Sequence, residues 1–313
     1  MKNLQKIFFI SLITLFSVSC SKSPTPEPEA LRDYTEQYTA DKTTIETFLK
    51  THKMTVDANF DVKFDKTTVP TESIWGAGTT HNANIKERIY TENSVNYTIY
   101  YIEFQQGTGT RPCNLDGVLA AYKGRLMDDV EVATGDLGTV FDSNNAPQSY
   151  LNLDQVIRGW SEIFPQFKTG TYTANADGTI SYNNFGAGVM FVPSALAYYN
   201  NSTGSIPSYS TLIFSFKLYE IKRNDQDFDG VPSWREDLNN DNYIYYLDSG
   251  VTNIDDTDGD YIPNAYDIDD DNDRVQTKFE IKNPLNGQPY NFDAIPLCPS
   301  DNKKIHVSTA CQN

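Results

Sequence analysis

The stretch from Asn224 to Glu280 constrains the fold most, because its composition leaves little with which to build an apolar core. It holds 15 Asp and 2 Glu against Arg235, Arg274 and Lys278, a net charge of −14. Carboxylates at that density repel one another, and they would also repel nucleic acid or an anionic lipid surface. The segment therefore points to a cation. Its acids are also spaced. Asp225, Asp227, Asp229 and Glu236 stand at positions one, three, five and twelve of a twelve-residue frame, with Gly230 at position six. The frame recurs three times: Asp237, Asn239, Asp241 and Asp248; Asp256, Asp258, Asp260 and Asp267; Asp269, Asp271, Asp273 and Glu280.

That frame matches an EF-hand-type calcium loop. Calcium takes about 6–8 oxygen ligands, which alternate carboxylates and a bidentate twelfth residue supply. Position six must turn sharply. Gly230 does so without steric cost, and Asn242 tolerates the left-handed conformation. Tyr261 and Arg274 hold that position in the third and fourth loops, where lower affinity is expected. Residues 224–281 also resemble thrombospondin type 3 repeats. The resemblance implies an irregular segment in which structural Ca2+ replaces an apolar core.

The chain starts with Lys2 and Lys6 before an apolar run from Ile7 to Val18. Residues 1–19 read as a secretory signal, too short to span a membrane. Ser-Val-Ser-Cys20 resembles a bacterial lipobox, which implies cleavage before Cys20 and a lipid anchor on it. By resemblance to lipoprotein sorting, Ser21 rather than Asp after that cysteine implies the outer membrane of a Gram-negative cell envelope. Residues 20–40 are proline-rich at their start and read as a tether. Residues 41–110 read as an N-terminal extension. It has a helix from Asp41 as N-cap, with Ile45, Phe48 and Leu49 on one face, a strand over Val56–Phe64 and another over Tyr97–Phe104. In the C-terminal segment 282–313, Cys298 and Cys311 bracket a short loop, and a disulfide there is worth about 3 kcal/mol in the chain-entropy model. Cys113 receives no role.

Gln155-Val156-Ile157-Arg158-Gly159-Trp160 places two β-branched residues before a Gly-Trp pair. A short helix follows, limited to about two turns by Pro165. Upstream stand Tyr122-Lys-Gly124-Arg-Leu126 and Phe141-Asp142-Ser143; downstream come Ala197-Tyr198, Ile206-Pro207 and Leu212-Ile213-Phe214. In that order these motifs resemble the FK506-binding-protein (FKBP) family of peptidyl-prolyl cis-trans isomerases, over a domain at 111–223.

The resemblance implies an α+β fold, a twisted antiparallel sheet wrapped around a short helix. It implies a catalytic cavity with Trp160 as floor and Tyr122, Phe141, Val156, Ile157, Tyr198 and Phe214 as walls, with Ile206 over the mouth. The Ile157 N–H and the Tyr198 hydroxyl are the expected donors to substrate carbonyls. Asp142 is expected to orient a tyrosine hydroxyl rather than act as a general acid. The rim departs from the family pattern: Tyr199 follows Ala-Tyr where Gly is usual, Ser205 precedes Ile206, and insertions are expected at 127–140 and 171–185.

The reading is a lipid-anchored isomerase of proline-containing, exported polypeptides. It needs no cofactor for catalysis, carries Ca2+ in its C-terminal repeats and does not bind nucleic acid. The rivals are a non-catalytic FKBP-fold binding or chaperone module and a structural surface lipoprotein.

Overall fold

The structure is a computed structural model that describes residues 31–80 and 84–311. The signal and Cys20 lie outside the described residues.

Helix α1 (Tyr34–Thr51) starts at Asp33, whose carboxylate accepts the N–H groups of Thr35 and Glu36. Asp41 is therefore not the N-cap, as the sequence led us to expect, and the end of the expected tether is already helical. Asp41 sits inside the helix and is buried, and its carboxylate accepts both the N–H and the hydroxyl of Ser194, at 2.7 and 2.6 Å. Burial is the main cause that pushes its carboxyl above the usual range. The single strand expected over Val56–Phe64 is instead a hairpin of β1 (His52–Val56) and β2 (Val62–Lys66). It turns where Asp57 accepts the N–H groups of Asn59 and Asp61 and Phe60 takes φ 61°.

The main sheet uses β3 (Ile85–Glu92), β4 (Val95–Gln105), β5 (Gly117–Leu126), β8 (Val140–Asn144), β9 (Leu151–Asn152), β12 (Gly186–Val192) and β13 (Leu212–Lys222). Two small hairpins are inserted: β6 (Glu131–Ala133) with β7 (Asp136–Leu137), and β10 (Thr171–Ala174) with β11 (Ile180–Asn183). They account for both rim insertions. The sheet order is β3-β4-β12-β13-β5-β8, with β9 also paired to β5, antiparallel throughout. β3 and β4 lie in the part assigned to the extension, yet β4 pairs directly with β12. The extension and the 111–223 region thus share one sheet.

Every residue of β12 is buried, because both faces of the sheet are covered. Met190 and Val192 join the core beneath helix α2 (Arg158–Ile163), with Trp160, Ile163, Phe164, Phe214 and Phe216. Val189 and Phe191 pack on the other face against Ile45, Phe48 and Leu49 of α1 and Phe64 of β2. A side chain of this kind contributes about 1.5–3 kcal/mol when fully buried. Arg125 of β5, 1% exposed, makes a bidentate pair with Asp136 at 2.7 and 2.9 Å and also donates to the carbonyl of Val62, fixing the first insertion to the sheet.

The segment after β13 is mostly coil, with α3 (Thr277–Glu280) and short 3-10 turns at 233–235 and 264–266. Two small apolar clusters hold it. One contains Cys113, Leu115, Ile244 and Ala265, the other Val231, Ile281 and Ile295. Cys298 and Cys311 are disulfide-bonded, and Cys113 is a buried free thiol. Tyr243 and Tyr245 reach back to α2, donating to the backbone and side chain of Glu162 at 2.7 and 2.9 Å.

Candidate active site and acidic loops

β5, β8, β13, α2 and the turn at 194–196 converge on a cavity of about 390 Å³. Its lining contains Tyr122, Phe141, Asp142, Val156, Ile157, Trp160, Tyr198 and Phe214, together with Leu151, Gln155 and Ala197. Ile206, expected over the mouth, is not among them. It is 5% exposed and packs into the main core, because its N–H and C=O close a tight bridge with Thr203 that turns the side chain inward.

The rings meet edge to face. The Trp160 ring centroid lies 4.9 Å from that of Tyr122 and 5.4 Å from that of Phe214, at 83° and 86°, and Phe141 meets Phe214 at 5.6 Å and 82°. Such pairs add about 0.5–1.5 kcal/mol beyond area burial. Gly124 permits this closure: a Cβ there would come within 2.6 Å of Phe141 and 2.8 Å of Phe214. The Tyr122 hydroxyl donates to Asp142 at 2.6 Å. Burial and that bond push the Tyr122 phenol up, and burial followed by the Asp142 charge does the same for Tyr198. Both phenols stay protonated and can donate. Ile157 caps α2 in an extended conformation, and its N–H takes part in none of the hydrogen bonds found among the described residues. The site thus offers an apolar floor and two donor groups.

The acidic loops share one hydrogen-bond pattern. In the first, Asp225 accepts the Gly230 N–H, Asp227 that of Asp229, and Asp229 that of Val231. The same one-to-six, three-to-five and five-to-seven bonds recur from Asp237, Asn239 and Asp241, from Asp256, Asp258 and Asp260, and from Asp269, Asp271 and Asp273. Position six is left-handed in all four, with φ 103° at Gly230, 71° at Asn242, 78° at Tyr261 and 78° at Arg274. The loop bonds carry Tyr261 and Arg274 through the turn, at the steric cost a Cβ imposes there.

In the first and fourth loops, four of these carboxylates keep one oxygen outside the bonds. The Oδ2 atoms of Asp227, Asp229 and Asp271 and the Oδ1 of Asp269 are buried with no hydrogen-bond partner. Asp225, Asp227 and Asp229 offer oxygens within 4.8 Å of one another, as do Asp256, Asp258 and Asp260, and Asp269, Asp271 and Asp273. Burial first, and neighbouring carboxylates second, push Asp227 up to about 8. Burial likewise pushes Asp229 up to about 7. These oxygens suit a hard cation.

The twelfth positions differ. Glu236 is 2% exposed, and Asp267 is pushed up to about 6 by burial and by Asp260 and Asp258. Glu280 is buried at the end of α3. Asp248 is exposed. Asp255 is buried near the second loop: it accepts the Leu238 N–H at 2.8 Å, and the charges of Asp237 and Asp241 add to the burial that raises its carboxyl. Asp255 and Asp270 are buried carboxylates outside the frame. Each sits inside a run of acids, where sequence alone does not say which carboxylate faces which loop.

The chain resembles known proteins in two parts. It is 29% identical over 143 residues to the FKBP-type peptidyl-prolyl cis-trans isomerase FkpA of Aeromonas hydrophila, covering 45% of this chain and 43% of that protein. It is 30% identical over 132 residues to the FKBP-type 22 kDa isomerase of Escherichia coli, covering 41% and 52%. FK506-binding protein 1 of Aspergillus oryzae is 28% identical over 121 residues, covering 37% of this chain and 91% of that one. Residues 226–305 match the family described as BamM C-terminal. The chain carries an FKBP-type domain followed by a BamM C-terminal domain. The crystal structure of FkpA from Escherichia coli aligns with 27% identity and a TM-score of 0.32, covering 44% of this chain and 53% of that one. The chain spans about a third to a half of the length of the first curated relatives it matches. The antiparallel sheet with a short helix agrees with the sequence reading.

Proposed function

We propose that the FKBP-type domain isomerises X–Pro bonds of exported polypeptides. The observation that carries this reading is the aromatic-lined cavity of Trp160, Tyr122, Phe141 and Phe214 beside two donors, the Ile157 N–H and the Tyr198 hydroxyl, that have no partner among the described residues. The imide bond resists rotation by about 18–20 kcal/mol, and unaided exchange takes tens to hundreds of seconds. Turnover in about a millisecond requires roughly 10⁵-fold acceleration, or about 7 kcal/mol. The twisted imide has lost resonance and carries less charge on its carbonyl oxygen. An apolar cavity therefore favours it over the planar ground state, which water solvates better. Trp160 and Phe214 supply the apolar contact, Ile157 and Tyr198 orient the peptide, and Asp142 holds Tyr122 in place. No proton transfer is needed.

The same reading places the chain on a membrane through lipid at Cys20, in the envelope of a Gram-negative bacterium, with calcium in the acidic loops. The buried, unpartnered oxygens support the calcium assignment, since buried carboxylates without donors or cations are costly. A proline-limited refolding assay on the full chain tests the catalytic claim, with Phe141→Ala as the cavity variant. Acceleration by the wild type that the variant loses supports it. Peptide binding without acceleration selects a holding role instead.

A further inference from the structure

Asp270 belongs to no ligand position of its own loop. It stands between Asp269 and Asp271, at position two of the fourth loop. Its carboxylate lies instead with those of Asp229 and Glu236 of the first loop, one oxygen from each being within 4.8 Å of the others. The three are 1%, 3% and 2% exposed. Both oxygens of Glu236, both of Asp270 and one of Asp229 are buried and meet no hydrogen-bond donor. None of the three forms an ion pair among the described residues: nearby Arg235 pairs with Asp293 and covers the Trp234 ring.

From this we infer that one calcium-sized divalent cation is held jointly by Asp229, Glu236 and Asp270, clamping the first acidic loop to the fourth. The inference rests on the reading of the acidic segment as a calcium module and adds to the first loop a ligand, Asp270, that the twelve-residue frame does not contain. Carboxylates left buried together without a counter-charge are strongly unfavourable. Ligands across a calcium ion are about 4.6–5.2 Å apart, given its usual bond lengths, so this spacing admits the ion. A magnesium ion, at about 2.0–2.1 Å with near-ideal octahedral demands, is the poorer fit. The clamp joins residues far apart in sequence, so its ion closes the module rather than ordering one loop.

The test uses the full chain with calcium as the probe, comparing wild type, Asp270→Asn and Glu236→Gln by calorimetric titration, thermal melting and hydrogen exchange. Asp270→Asn should weaken calcium at one site at least tenfold. It should melt higher than wild type in chelator, where a buried charge has been removed, and lower than wild type in calcium. Each variant should lower calcium-dependent protection in the opposite loop, Glu236→Gln at residues 269–273 and Asp270→Asn at 229–236. Asp258→Asn should leave both stretches protected. If wild type binds calcium but both variants match it in affinity and exchange, the clamp is overturned while the calcium module stands. If wild type binds no calcium, the module falls and the clamp with it. Glu236→Gln keeps the question answerable should Asp270→Asn fail to fold.

Discussion

Around Trp160 the chain buries rings; between Asn224 and Glu280 it buries carboxylates. The first region is held by contacts that need nothing added. Trp160, Phe164, Phe214 and Phe216 pack on a sheet whose backbone groups are paired, and about 390 Å³ remains open for a ligand. The second has short 3-10 turns, a one-turn helix and two small apolar clusters. Its Asp carboxylates accept backbone N–H groups in one repeated local pattern. An apolar core is stable from within, whereas an acidic one depends on the solution around it. The two are joined at Glu162, fully buried on the helix that carries Trp160, where Arg88, Tyr243 and Tyr245 converge.

Removing calcium should separate the regions most. At a hundredfold excess over its dissociation constant, one ion adds about 2.7 kcal/mol, so chelation should raise cleavage within 224–280 by about a hundredfold per site lost. The FKBP-type sheet should keep its protection, and mass mapping of protease fragments reads both at once. Equal cleavage with and without calcium would remove the contrast. The metal-free protein should also respond to pH. Folded Asp227 and Asp229 keep protons up to about 8 and 7, against an ordinary Asp value of 3.8. The folded state then binds more protons than the unfolded one. Stability in chelator is therefore fullest below about pH 3.8 and is lost as pH rises towards 8. Calcium should reverse that slope, since it displaces the same protons.

Glu162→Ala tests the joint. It strands Arg88, whose guanidinium lies 3.0 Å from the carboxylate. Breaking a buried pair costs about 3–5 kcal/mol, and the partial exposure of Arg88 puts the expected loss near the lower figure. Urea unfolding measures it, and a loss under about 1 kcal/mol would mean the regions stand apart. Phe141→Ala should lower turnover about tenfold or more, near 1.4 kcal/mol, with little change in melting, because this wall is only half-buried. Wild-type turnover in that variant would move catalysis elsewhere. The smallest effect is expected from Tyr122→Phe, which removes the 2.6 Å bond to Asp142 but keeps the ring. About 1 kcal/mol, or roughly fivefold in turnover, is the scale of one hydrogen bond; an unchanged rate would mean that Asp142 orients nothing needed for the reaction.

The sequence by itself determined the kind of burial in each region. The cavity residues were readable because each sits in a short motif whose ring or β-branched side chain has one role. The acidic frame was readable because its bonds are local: the one-to-six, three-to-five and five-to-seven bonds never leave twelve residues. The disulfide was readable for the same reason, since Cys298 and Cys311 close a short loop. Only the tertiary structure decided what crosses between distant segments. It joined β4 to β12, so that the supposed extension completes the sheet. It moved the start of α1 to Asp33 and gave Asp41 to Ser194, 153 positions away. It turned Ile206 into the core, left Asp248 exposed, buried Asp255 beside the second loop and brought Asp270 to the first. Strand pairing and the facing of one carboxylate among several neighbours depend on which surfaces meet when the chain closes. A pattern read along the chain carries no record of that meeting.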